Sequence, residues 1–186
     1  MPNSYQQYTD EQLAAALGRR QDRAAMAELY ERFGARMFHY FYRSFYRDQA
    51  KAEDFTQELF LKILEKSRHY KPEYPFKTWI YTLAANLCKN EFRRLAVREK
   101  AQPLLYHETT EQLPETIDQA ILDAALRLAL DALDPMHRQC VLLRYQEALS
   151  IKEIASILDC PEGTVKSRIF NALRKLGEHI PKNSFI

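Results

Sequence analysis

Apolar residues recur along most of this chain at the spacing of a helix, and nowhere in the long alternation of a strand. The first periodic segment opens at Thr9-Asp10-Glu11, where Thr9 or Asp10 can cap a helix with Leu13 and Leu17 inward. A second begins near Asp22 and places Met26, Leu29, Tyr30 and Phe33 on one side. Gly34 interrupts it weakly, and Met37, Phe38, Phe41, Tyr42 and Phe45 extend an aromatic core face. A third spans AEDFTQELFLKILEKS, with Phe55, Leu59, Ile63 and Leu64 inward. In HYKPEYP, Pro72 and Pro75 disfavour helix and predict an ordered loop. The next helix, PFKTWIYTLAANLCKNEFRR, carries a stripe of Phe76, Trp79, Ile80, Leu83, Ala84 and Leu87.

The pattern then dissolves. AQPLLYHETTEQLPE has no helical period and predicts a moderately flexible linker between two domains. Helices resume at Ile117, with Ile121, Leu122, Ala125, Leu128, Ala129 and Leu133 as the apolar set. Asp134-Pro135 starts another, whose stripe is Met136, Cys140 and Leu143 with Arg144 outside it. Glycine is scarce, four in 186 residues, while good helix formers abound. The predicted class is all-α: two small helical domains at 1–97 and 118–186, joined by a linker at 98–117.

Composition removes several functions. No apolar run reaches the roughly 20 residues of a membrane span, and the N-terminus lacks a signal-peptide core. Cys88, Cys140 and Cys160 are far apart and not in CxxC spacing, which argues for a reducing cytoplasm and against a zinc site or disulfide framework. No cofactor is expected. The five histidines are scattered, and no Ser/His/Asp grouping or Gly-rich phosphate loop appears, so no catalysis is expected.

Charge adds what hydropathy does not. The net charge is only +2, yet residues 66–100 hold nine basic and three acidic side chains. Residues 101–117 hold three acids and no base. Residues 164–182 carry Lys166, Arg168, Arg174, Lys175 and Lys182 against Glu178 alone. Two basic islands separated by an acidic stretch are the footprint of a polyanion met at two places. In the first island, Thr82, Asn86, Lys89, Asn90 and Arg93 line the side of the helix opposite its apolar stripe, with Glu91 as the helix's one acid over residues 75–94. An ordinary solvated face mixes in Glu for i,i+4 pairing. Amides and cations instead suit phosphates and base edges.

The second island lies in SIKEIASILDCPEGTVKSRIFNALRKL. Ser150 can cap a short helix that buries Ile151, Ile154, Ala155 and Leu158. Asp159 tolerates a left-handed turn, and Pro161 and Glu162 suit the first turn of a new helix. Val165, Ile169, Leu173 and Leu176 are expected inward; Lys166, Ser167, Arg168, Asn171, Arg174 and Lys175 outward. This is the pattern of a helix-turn-helix with a basic recognition helix.

AEDFTQELFLKIL, then PFKTWIYTLAANLCKNEFRR, then a linker, then LDPMHRQCVLLRYQEALSIKEIASILDCPEGTVKSRIFNALRKL together resemble the extracytoplasmic-function (ECF) sigma factors of bacterial RNA polymerase, over roughly residues 9–178. The resemblance implies a transcription initiation factor that binds core RNA polymerase at the β′ clamp helices and β flap. It would recognise promoter DNA at its −35 and −10 elements and be restrained by an anti-sigma factor. Asp54, Gln57 and Glu58 would be the polymerase-binding residues. Tyr70 and Tyr74, in the loop at 67–75, would stack on an unpaired base, and Asn86, Lys89, Asn90 and Arg93 would read or hold the −10 strand. Lys166, Ser167, Arg168 and Asn171 would read the −35 element, with Arg174 and Lys175 nearer the phosphates. The expected location is the cytoplasm and nucleoid, with the anti-sigma factor as the means by which the chain would be held at a membrane. Several family members carry arginine where Asn171 stands, and a basic residue is common at Thr82, so promoter preference is not borrowed with the resemblance. LSIKEIASILDCPEGTVKSRI also resembles the output domain of LuxR-type regulators, but the N-terminal half lacks the alternating βα pattern of a receiver.

Overall fold

Side-chain caps set where the helices begin. The computed structural model describes the backbone of residues 5–20, 22–101 and 126–179. Helix α1 (Asp10–Arg20) opens on a reciprocal cap, in which Gln12 N donates to Thr9 Oγ1 at 3.2 Å and Thr9 N donates to Gln12 Oε1 at 2.9 Å. Asp10, the alternative cap, pairs instead with Arg32 at 2.9 Å. Asp22 accepts from the amides of Ala24 and Ala25 to start α2 (Arg23–Ser44). Asp48 accepts from Lys51 N to start α3 (Gln49–Lys66), three residues before the expected Ala52. A 3₁₀ turn, Ser67–His69, leads into the proline loop and then α4 (Phe76–Ala101).

The chain divides into two compact units, the first built mainly on residues 1–97 and the second mainly on those after them. In the first, edge-on and tilted aromatic pairs join α2 to its neighbours: Phe33 to Phe76 at 5.2 Å, Tyr40 to Tyr81 at 5.5 Å, and Phe45 to Phe55 at 4.6 Å. Tyr40 was not in the expected core set and is 1% exposed; Tyr30, expected inside, is 53% exposed and covers Phe60 from outside. Phe38, Tyr42, Phe55, Leu64 and Met26 are half-buried rather than enclosed. On α4 the stripe is wider than expected, because Tyr81, Ala85 and Cys88 are buried beside Phe76, Ile80, Leu83, Ala84 and Leu87. Trp79 is half-buried against Tyr70 and Phe76.

The acid of α4 does not share its polar face. Glu91 is 5% exposed and lies between Lys51 Nζ of α3 at 2.9 Å and Arg94 Nε at 2.7 Å. Burial alone would raise its carboxyl, but hydrogen bonds from Arg94 and Lys51 hold it below the usual range. A carboxylate lowered in the fold stabilises above its unfolded value and loses that contribution as pH falls through the folded value. The urea midpoint of Glu91→Gln is therefore expected to lie well below that of wild type at neutral pH, with the gap closing below about pH 4. A gap that persists unchanged at acid pH contradicts the ion-pair assignment.

In the second unit, α5 (126–131) is followed by α6 (Pro135–Val141), capped by Asp134 accepting from Met136 N at 2.9 Å. The chain continues as a π turn over Leu142–Gln146, which the sequence period did not reveal. Ser150 and Glu153 form a second reciprocal cap for α7 (Ile151–Leu158). Asp159 then takes φ +48° and α8 (Glu162–His179) follows, as expected for a left-handed turn. Ala129, Leu133, Val141, Ala172 and Leu176 form one buried apolar cluster, and Leu143, Leu149, Ile154 and Val165 are buried as well. Leu128 and Leu173, expected inward, are 69% and 43% exposed, and Ala172 takes the inward place on α8. Residues 98–101 of the expected linker are the end of α4; the rest of it, with Ile117, Ile121, Leu122 and Ala125, lies outside the described residues.

Candidate nucleic-acid interface

The polar face of α4 contains Asn86, Lys89, Asn90 and Arg93, all exposed and spaced i, i+3, i+4, i+7. With Glu91 turned inward, no carboxylate of residues 75–94 shares that face. Thr82 is half-buried and donates its hydroxyl to Thr78 O at 2.8 Å, which removes it as a free reader of bases. The face is presented by a helix whose first amide is capped from a distance: Phe76 N donates to Glu11 Oε1 of α1 at 2.9 Å. Burial would raise Glu11, but its hydrogen bonds, from Phe76 N above all, keep it below the ordinary carboxylate range.

The loop before α4 separates its two tyrosines. Tyr74 is 64% exposed. Tyr70 is 8% exposed, its ring against Phe76 and Trp79 and its hydroxyl donating to Tyr74 O at 2.6 Å. That burial, with the nearby carboxylates of Glu11, Asp10 and Glu73, pushes its phenol up to about 12. This corrects the expected stacking role of Tyr70. It braces the loop, and the ring it offers to solvent belongs to Tyr74.

On α3, Asp54, Gln57 and Glu58 are exposed opposite buried Leu59, with Glu58 loosely paired to Lys62 at 3.3 Å. Leu61 lies one turn beyond Gln57 and Glu58 and is 60% exposed, an apolar residue within an acidic face that periodicity alone did not single out.

On α8, Lys166, Ser167, Arg174 and Lys175 are exposed, and Arg168 and Asn171 are half-buried. Arg168 turns back over the α7–α8 turn, with Nη1 at 3.8 Å from Cys160 Sγ. Phe170, absent from the expected set, is 68% exposed in the middle of this basic surface. Its signal was available, since it falls between Lys166 and Arg174 at helical spacing. Behind the helix, Arg138 is 1% exposed and donates to Leu130 O at 3.0 and 2.7 Å, tying the end of α5 to α6.

Two family models match: Sigma-70 region 2 over residues 29–98, and Sigma-70, region 4 over residues 123–176. Among relatives, the ECF RNA polymerase sigma factor SigL of Mycobacterium tuberculosis is 31% identical over 160 residues, covering 82% of this chain and 87% of SigL. This chain belongs to the ECF sigma factors of the sigma-70 family. The ECF sigma factor BldN of Streptomyces coelicolor is 30% identical over 166 residues, 86% of this chain, and this ECF family member spans 62% of BldN's length. The sigma factor RpoE of Bartonella quintana, solved in complex with the anti-sigma factor NepR, shares the fold with a TM-score of 0.69 at 19% identity, covering 82% of this chain and 94% of its own. Both basic faces of this ECF chain fall inside its matched segments. Among the described residues, no helix is long and apolar enough to cross a membrane, and no group of three or more metal-ligating side chains occurs.

Proposed function

We propose that this chain binds core RNA polymerase and directs it to promoters by reading a −35 element with α8 and a −10 element with α4. One observation carries the reading: a family member of the ECF group displays, in its region 2 and region 4 segments, two exposed cationic helix faces. In this reading residues 1–97 form the melting unit, 98–117 the linker and 118–186 the −35 unit. Asp54, Gln57 and Glu58, with Leu61 among them, contact the polymerase clamp, while region 4 meets the β flap. Asn86, Lys89, Asn90 and Arg93 hold the opened strand. Lys166, Ser167, Arg168 and Asn171 read bases, Phe170 lies against a thymine methyl, and Arg174 and Lys175 hold phosphates. The phosphodiester chemistry belongs to the polymerase, and the chain works in the cytoplasm under an anti-sigma protein.

Opening a duplex costs a few kcal/mol per unstacked step, which capture of an extruded base offsets. Stacking on an aromatic ring contributes about 1–3 kcal/mol per base, so Tyr74→Ala is expected to lower promoter opening roughly tenfold. Permanganate reactivity of −10 thymines in the reconstituted holoenzyme measures it. Co-purification with core polymerase should be unchanged, and a pre-melted promoter should restore activity. Full opening by Tyr74→Ala, or loss of core binding with it, would overturn the assigned role.

A further inference from the structure

The start of α1 is capped without Glu11: Thr9 and Gln12 bond each other reciprocally, and Asp10 pairs with Arg32. The Glu11 side chain reaches across the first unit instead. Its Oε1 accepts from Phe76 N at 2.9 Å, the first amide of α4 and 65 residues away. Pro75, at the N-cap position, carries no side-chain oxygen for that amide, and the first turn of α4 holds no acid of its own. One carboxylate from another helix therefore caps the amide of a fully buried residue and sits at the positive end of a 26-residue helix. Glu11 is also one of three places where α1 meets the loop at 67–75. At the start of the loop, Gly18 lies against the Ser67 carbonyl, too close for any Cβ. In its middle, Pro72 lines a cleft of about 530 Å³ together with Gln12, Ala15 and Ala16 of α1. At its end, Glu11 holds Phe76 N, two residues after the exposed ring of Tyr74. Tyr70 completes the frame, its hydroxyl donating to Tyr74 O at 2.6 Å and its ring edge-on to Phe76.

We propose that Glu11 is a positioning residue for strand opening: by fixing the first amide of α4, it sets where Tyr74 stands relative to Asn86, Lys89 and Asn90. The proposal rests on the promoter reading above, in which Tyr74 and that face of α4 engage the same strand. Stacking needs the ring to lie over the base, so a loop end displaced by about an ångström loses much of that contact. Attraction between the cationic faces and phosphates depends far less on such a displacement, because it is spread over many charges and longer distances. Glu11 touches no DNA in this scheme. It acts through Phe76 and the loop, on opening and not on the first encounter with the duplex.

The test compares the full-length chain with Glu11→Ala, Glu11→Gln and Gln12→Ala, each alone and in holoenzyme. Trp79 is the chain's one tryptophan and lies against Tyr70 and Phe76, so its emission reports the packing of the loop. Glu11→Ala is expected to shift that emission to the red. It should also slow promoter opening about fivefold, the size of one lost cap, as read by permanganate at −10 thymines. Closed-complex affinity, measured at low temperature, should stay within about twofold. Glu11→Gln keeps an oxygen that accepts from Phe76 N and should restore most of both readouts. Gln12→Ala removes one bond of α1's own cap and should change neither. Wild-type opening by Glu11→Ala overturns the positioning role. An equal loss in Gln12→Ala also overturns it, since the effect would then be one of α1 stability, and so does a fall in closed-complex affinity that matches the fall in opening. A wild-type holoenzyme that opens no promoter speaks instead against the promoter reading, and Trp79 emission still decides whether Glu11 holds the loop.

Discussion

Alanine at Lys166 and Arg168 together is expected to lower promoter-directed transcription on the order of a hundredfold. Each good contact to a base edge discriminates by about 1–3 kcal/mol, and every 1.4 kcal/mol is a factor of ten. Lys166 is exposed on α8, so in the proposed reading its loss falls on DNA binding rather than on the fold. Arg168 is half-buried against Cys160, so Arg168→Lys separates charge from shape: an ammonium keeps the cation and loses the planar fork. Affinity for core polymerase, measured by fluorescence anisotropy of labelled protein, should stay within about twofold, because the clamp contacts are proposed on α3 and Lys166 and Arg168 are assigned to DNA rather than to the β flap. Parallel loss of core binding and transcription would show that α8 serves the polymerase rather than the promoter.

Gly18→Ala is expected to destabilise the first unit by roughly 1–3 kcal/mol, against the usual sign for this substitution inside a helix. A Cβ at Gly18 would sit 2.4 Å from Ser67 O and 2.9 Å from its carbonyl carbon. Both are backbone atoms of the 3₁₀ turn that begins the loop, so no side chain can swing aside. Glycine is needed here for close approach and not for backbone freedom, because its φ is ordinary. The turn must move, and with it Tyr70 and Tyr74. Urea unfolding should give a lower midpoint, and promoter opening should fall further than Tyr74→Ala alone predicts. A Gly18→Ala protein as stable as wild type would mean that α1 does not cross the turn this closely.

The helices of the first unit were legible because each buried face repeats over several turns. The stripe of α4 needed only the positions of Phe76, Ile80, Leu83 and Leu87. What sequence reading missed lies mostly in side chains whose partners are distant in the chain or whose phase competes with size. Leu173 is larger and more apolar than Ala172, so composition favours it inside, yet the line through Val165, Ile169 and Leu176 passes Ala172. Glu91 looked like the one acid on a cationic face; its partner Lys51 is on another helix, and the pair turns it inward. The cap of Phe76 N by Glu11 joins residues 65 apart and has no local signature. Tyr70 and Tyr74 could not be told apart because a proline loop has no period. One ring had to fill the space beside Phe76 and Trp79, and only packing decides which. The contact residues proposed on α4 and α8 stood out in the sequence because charge without acid is visible in composition.

The most direct measurement is run-off transcription from genomic fragments by core polymerase with and without the purified chain. New, discrete start sites that appear only with the chain, and vanish when Asn86, Lys89, Lys166 and Arg168 are all alanine, are the predicted result. Identical transcripts in both lanes, from a chain that remains folded and binds core enzyme, would contradict the claim that these two helix faces choose where the polymerase begins.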